Sequence, residues 1–219
     1  MQLKNILEAA LLAAGEPLSL ERLAALFAEG ERPETAELYA ALDELAADCA
    51  GRGIELKEVS SGFRLQVKRE LAPWVTRLFE ERTPRYSRAL LETLVLIAYR
   101  QPITRGEIED IRGVTVSTNI IKTLQEREWI RVVGHRDVPG KPALYGTTRQ
   151  FLDYFNLKSL GELPSLSEIR SLDMIADEFA DILPPLAGDG EVEAAEEEGA
   201  AAEPSAREAD QAGGLHTVH

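Results

Sequence analysis

Three histidines, one cysteine and a short run of carboxylates are the side chains with which this 219-residue sequence could do chemistry. His135 stands in a glycine-proline stretch beside Arg136 and Asp137, with no nucleophile or second base signalled nearby. His216 and His219 lie at the far C-terminus, and no pair of histidines, with Cys49, shows a metal-ligand spacing. Glu107, Glu109 and Asp110 resemble paired carboxylates. Glu107, however, falls three positions after Thr104, where a capping box places it, and residues 109 and 110 diverge on a helix. No G-x-x-x-x-G-K-[ST] run exists to cradle a phosphate. The Val138-Pro139-Gly140-Lys141-Pro142 loop is too stiff and too poor in N–H donors for that task. The sequence therefore assigns no catalytic, cofactor-binding or metal site, and predicts a protein that is not an enzyme and carries no cofactor.

Charge divides the chain. Residues 1–160 hold 22 Lys and Arg against 23 Asp and Glu, whereas residues 161–219 hold 2 against 15. The acidity belongs to the C-terminal stretch, which disfavours phosphate backbones and suits basic partners or solubility. Cys49 falls on the apolar side of a helical pattern and is expected in the core, with no intramolecular disulfide available. That usage fits a reducing compartment. Glu8 interrupts the apolar N-terminal stretch, which is expected to be an ordinary first helix. No apolar run reaches membrane-span length. The expected localisation is cytoplasmic.

The elements that would position these side chains follow from periodicity. Leu3, Ile6, Leu7, Ala10 and Leu11 predict a first helix ending near Gly15. Ser19 predicts the cap of a helix over 20–28, with Leu20, Leu23, Leu26 and Phe27 inward. Pro33 opens a third helix to about residue 50, striped by Leu38, Leu42, Leu45 and Cys49. The period then drops to two: strands around Ile54–Val59 and Phe63–Val67 flank a turn at Ser61-Gly62. A helix over 70–82 carries Trp74, Val75, Leu78 and Phe79.

After Pro84 the order returns. Helices are expected over 87–99, from Thr104 to Gly113 with Ile108 and Ile111 buried, and over 117–128. A strand at 130–134, a wing loop from His135 to Pro142 and a strand at 143–145 follow, then a short aromatic helix with Phe151 and Phe155. GEPLSLERLAALF parallels RQPITRGEIEDIR in spacing, so a repeat of shape is expected without a repeat of sequence. Helix, helix, helix, hairpin is the layout of a winged helix-turn-helix. The predicted fold is mainly α with small β-hairpins (α+β), as tandem winged helix-turn-helix domains, elongated. The domains are 1–83 and 84–160, followed by an amphipathic segment at 161–186 and a disordered acidic tail at 187–219. The segment either docks on a partner or packs back on the second domain.

DNA reading by the first unit is disfavoured by charge. Its third helix carries Glu34, Glu37, Asp43, Glu44 and Asp48 and no Lys or Arg. The second unit is mildly basic, with 12 Lys and Arg against 8 Asp and Glu over residues 85–160. Its third helix offers only Lys122 and Arg127, opposed by Glu126. Ser117, Thr118, Asn119 and Gln125 are as ordinary in caps and on exposed faces as at base edges. Arg131, Arg136 and Lys141 would give at most weak phosphate contacts.

The blocks RYSRALLETLVLIAYRQPITRGEIEDIRGV and HRDVPGKPALYGTTRQFLDYF closely resemble the bacterial segregation and condensation protein B family. The N-terminal part resembles it more weakly, and the tail departs from it. The resemblance implies two winged-helix domains and a homodimer formed chiefly by the N-terminal ones. It implies a complex with a kleisin subunit of the segregation and condensation protein A type, and through it with the SMC ATPase, which would supply any ATP use. The expected role is a non-catalytic accessory subunit in chromosome condensation and segregation, nucleoid-associated through the complex, with DNA contact indirect or weak and no membrane. Candidate kleisin-binding residues are Arg85, Tyr86, Arg88, Arg100, Arg105, Arg112 and Tyr145, because arginine and aromatic side chains dominate interface energetics. Leu38, Tyr39 and Leu42 are candidate dimer contacts, though Leu38 and Leu42 also fit the core. The alternative is a winged-helix transcription regulator; an unannotated hydrolase has only His135 in its favour.

Overall fold

The computed structural model describes residues 2–78 and 86–163. Arg85, Phe79, the boundary at Pro84 and the amphipathic and acidic stretches of the C-terminus from residue 164 lie outside the described residues.

The first half begins with helix α1 (Leu3–Ala14), which buries Leu7 and Leu11 and ends where Gly15 takes a left-handed conformation. Leu18 follows, and Ser19 accepts the Arg22 N–H to start α2 (Leu20–Ala24). Helix α2 is shorter than its apolar period suggests. Leu26 and Phe27 donate to carbonyls three residues back, and that tighter winding turns Leu26 outward to 52% exposure. Helix α3 (Thr35–Asp48) starts two residues after Pro33, because the Glu37 carboxylate reaches back to the Glu34 N–H at 2.8 Å. Strands β1 (Ile54–Val59) and β2 (Gly62–Val67) pair antiparallel with Val59 opposite Gly62, so Ser60 and Ser61 form the turn. Leu7, Leu11, Leu18, Leu23, Leu38, Leu42, Leu45, Cys49 and Phe63 close one core.

The expected helix over 70–82 is broken. Within its described residues, 70–78, only α4 (Ala72–Val75) is α-helical, flanked by 3₁₀ turns at Arg69–Leu71 and Thr76–Leu78. Pro73 has no N–H to carry a helix through from upstream. Trp74 and Leu78 are 62% and 77% exposed.

The second half repeats the order. Ser87 caps α5 (Arg88–Arg100), whose apolar face includes Leu90, Leu94 and Ile97. A strand that periodicity does not reveal, β3 (Ile103–Thr104), leads into α6 (Arg105–Arg112). The capping box is present: Thr104 and Glu107 exchange bonds, and Gly113 ends the helix at positive φ. Ile108 is buried, but Ile111 is 47% exposed, because a step of three residues swings it about 60° around the helix from Ile108. Ser117 caps α7 (Thr118–Glu126). Strands β4 (Ile130–His135) and β5 (Ala143–Thr147) form the hairpin, and the sheet runs β3-β5-β4. A register shift between Val132 and Gly134 breaks the alternation, so Val132 and Val133 both face out. Thr148 then caps α8 (Arg149–Tyr154). Trp129, Phe151 and Phe155 join Leu94, Ile97, Ile108 and Leu124 in a second core that shares no residue with the first.

The two halves are closed by the same device. Leu18 exchanges two backbone hydrogen bonds with Phe63, each 2.9 Å, and Ile103 pairs with Tyr145. In each case the residue after the proline adds a short third strand to the hairpin. Gly62 permits the first: a Cβ there would lie 2.2 Å from the Leu18 carbonyl oxygen, and its φ is +137°. Gly62→Ala is expected to cost about 1–3 kcal/mol, seen as a lower urea midpoint for the first half.

Candidate functional site

The residues singled out from the sequence separate into internal and external groups. Leu38 and Leu42 are 2% and 1% exposed inside the first core, so they cannot reach a second chain. Their stripe on α3 is consumed by packing on α1 and α2. Tyr39 is 43% exposed, its ring set edge-on to Phe63 at 6.1 Å.

In the second half, Tyr86 is half-buried. Its ring lies 5.2 Å from Trp129, and burial pushes its phenol well above the ordinary value. Arg112 is also internal, with its side chain 8% exposed and its guanidinium 2.9 Å from the Glu92 carboxylate. Glu92 meets Arg88 from the preceding turn as well. Arg105 bonds Glu109 and the Thr118 hydroxyl, tying the start of α6 to the start of α7. Tyr145 is half-buried on the central strand between Ile103 and Val132. Arg100 is exposed at the end of α5.

Arg100 lines a cleft of about 350 Å³ with Pro102, Ile103, Glu107, Asp110 and Ile111. An apolar wall of proline and isoleucine is rimmed here by one cation and two carboxylates. The fold supplies it directly: the end of α5, β3 and α6 meet there. Gln101 anchors that corner, accepting the Thr147 N–H at 2.7 Å and donating to its hydroxyl at 2.9 Å. The Glu107 carboxyl is held below the usual carboxylate range, first by the Thr104 N–H and then by the Thr104 hydroxyl and Arg136. Glu109 is lowered too, by the Val116 N–H and then Arg105. Both carboxylates are thus engaged in closing turns. The sequence missed this cleft because Ile111 was assigned to the core.

His135 is exposed at the end of β4 rather than within the loop, and it does not line this cleft. No group of three or more His, Cys, Asp or Glu among the described residues could hold a metal ion. No described helix is long and apolar enough to cross a membrane. On α7, Lys122 pairs with Glu126 at 3.4 Å. Arg127, just beyond, lies over the rings of Tyr86 and Trp129 at 5.0 and 5.8 Å. Arg127 is therefore engaged within the chain, while Lys122 stays 69% exposed beside an acid that offsets its charge.

Arg112→Ala should lower stability by about 1–3 kcal/mol, because Glu92 loses its buried partner and keeps only the exposed Arg88, whereas Arg100→Ala should stay within about 0.5 kcal/mol, both measured by denaturant unfolding. Glu107, whose folded-state pKa is lowered, adds stability that is present above its unfolded value and lost as the pH falls through the folded one. Glu107→Gln should therefore be less stable than the parent near neutrality, and the gap should shrink on acidification.

The profile of the family described as "Segregation and condensation complex subunit ScpB" matches residues 5–166. The Coxiella burnetii segregation and condensation protein B homolog is 57% identical over 180 residues, covering 82% of this chain and 86% of that protein. The Syntrophotalea carbinolica segregation and condensation protein B is 46% identical over 172 residues, 78% and 86% of the two chains. Among solved structures, ScpB from Mycobacterium tuberculosis is 36% identical with a TM-score of 0.32, covering 71% of this chain and 95% of that one. A dimer of an ScpB N-terminal domain complexed with an ScpA peptide is 40% identical with a TM-score of 0.31, covering 34% of this chain and 91% of that one. About three quarters of the chain, including both hairpins and the capped helices that seat them, thus matches proteins of one description, and the chain belongs to the segregation and condensation protein B family.

Proposed function

We propose that this chain is a non-catalytic accessory subunit of an SMC-kleisin complex, working in the cytoplasm on the nucleoid to support chromosome condensation and segregation. Family membership is the observation that carries the reading, through relatives named for segregation and condensation. In this reading residues 1–83 and 84–160 are two winged-helix domains. The first makes a homodimer and the second holds a kleisin segment of the segregation and condensation protein A type. DNA contact is indirect or weak, which accords with the engaged cations around α7.

The dimer surface has an apolar supply that does not draw on Leu38 and Leu42. Tyr39, Trp74 and Leu78 are all exposed on the first half. Large apolar and aromatic side chains in that position are what an interface core uses. For the kleisin, the cleft of Arg100, Ile103 and Ile111 fits an apolar side chain flanked by a charged residue. Arg88 and Arg105, both partly exposed, remain candidates elsewhere on the second half, where Arg112 and Tyr86 support the fold.

The test is a pull-down of the full-length tagged chain from native extract, with stoichiometry measured on the recovered complex. Kleisin and SMC should be recovered with two copies of this chain. Arg100→Glu with Ile111→Asp should weaken kleisin recovery about tenfold or more while the dimer persists. Sequence-selective DNA binding by the purified chain alone would instead favour the transcription regulator.

A further inference from the structure

The two cores share no residue, yet the halves touch through polar contacts centred on one buried carboxylate. Three polar or charged residues are buried among the described residues: Thr93, Thr104 and Asp153. Thr93 donates to the Ala89 carbonyl, and Thr104 is occupied by its own capping box. Asp153 is different. It sits on α8 in the second half, 7% exposed, and both its oxygens are bonded by one residue of the first half. The Ser61 N–H donates to Oδ1 at 2.8 Å and the Ser61 hydroxyl to Oδ2 at 2.5 Å. Ser61 is in the two-residue turn of the β1-β2 hairpin.

Three further contacts surround this one. The Ser60 N–H donates to the Leu157 carbonyl at 3.0 Å. Arg64 on β2 donates to the Asn156 side chain at 2.7 Å, and Lys158 pairs with Glu58 on β1. Burial lowers the Arg64 guanidinium, and the nearby Asp153 carboxylate opposes that shift. Val59, at the same hairpin tip, is 3% exposed though it belongs to neither core. Beside the contact lies a cleft of about 550 Å³ lined from both halves, including Glu16, Arg22, Ser61, Gln150 and Tyr154.

We infer that the Ser60-Ser61 turn and α8 form a latch, keyed on Asp153, that holds the two halves in one arrangement and opens without unfolding either core. A tight hairpin turn has no internal use for these N–H groups, so the second half is their partner. The contact is charge-assisted and strong enough to order the turn. It is also small and mostly polar, so opening exposes chiefly groups that water can satisfy, with Val59 the apolar exception. Neither core loses a member when it opens.

Amide hydrogen exchange of the full-length, isotope-labelled chain tests this directly, because the Ser60 and Ser61 amides both donate across the contact. They should be protected in the parent protein. Asp153→Ala should speed both by about tenfold or more while the Lys57 and Gln66 amides, which bond across the β1-β2 ladder, keep their protection. Unprotected Ser60 and Ser61 amides in the parent would overturn the latch. So would Asp153→Ala exchange at the parental rate. If Asp153→Ala loosens the whole second half, Ser61→Ala with Arg64→Ala leaves α8 intact and decides the matter. Faster exchange at Ser60 in that variant supports the latch, and an unchanged rate rejects it.

Discussion

Each half of this protein depends on a backbone pairing only one or two residues long. Three helices of this size leave their apolar faces open on one side, and a two-stranded hairpin alone is marginal in water. The Leu18–Phe63 bridge and the β3–β5 pairing join them. The residue that makes the pairing sits between a proline and a cap, so the chain leaves the first helix, touches the hairpin, and at once starts the second helix. Leu18 and Ile103 are each buried at that junction, and the cap that follows fixes the direction of the next helix. The hairpin therefore cannot slide without losing both the pairing and the cap geometry.

Most of the charged side chains that seemed available for partners are occupied by this arrangement. Arg112 and Arg88 converge on Glu92, Arg105 braces α6 against α7, and Arg127 lies over two aromatic rings. Arginine is suited to this, because its planar fork can bond a carboxylate and stack on a ring at once. What is left facing outward is apolar or isolated: Trp74 and Leu78 in the first half, Ile111 and Arg100 at the cleft in the second. A subunit that assembles with other chains needs such a remainder.

Several local features were legible because they rest on short-range chemistry. Ser19, Ser87, Thr104 and Ser117 cap helices as their spacing predicts, and of the two candidates Thr147 and Thr148 it is Thr148 that caps α8. Cys49 and the Leu38, Leu42, Leu45 stripe are core, as a period of 3.6 requires. Periodicity failed where it had few turns to average over. Ile111 follows Ile108 at a legal helical spacing, but a two-turn helix covers only a narrow strip of core. Leu26 was displaced by a change of winding that leaves no mark in composition, and Val132 and Val133 by a bulge. Trp74 and Leu78 show the limit of hydrophobicity as a guide, since a large apolar residue is equally at home in a core or at an unoccupied interface.

The sequence by itself determined the order of elements, the helix caps, the acidic character of α3 and, through its two long blocks, the family. These depend on residues within a turn or two of each other. Only the tertiary structure decided which arginines are spent, where the cleft opens, and that Asp153 meets Ser61. Those partners lie 92 positions apart, and no local period or motif links them. A carboxylate on an aromatic helix looks like an ordinary solvated residue until the hairpin of the other half is folded against it.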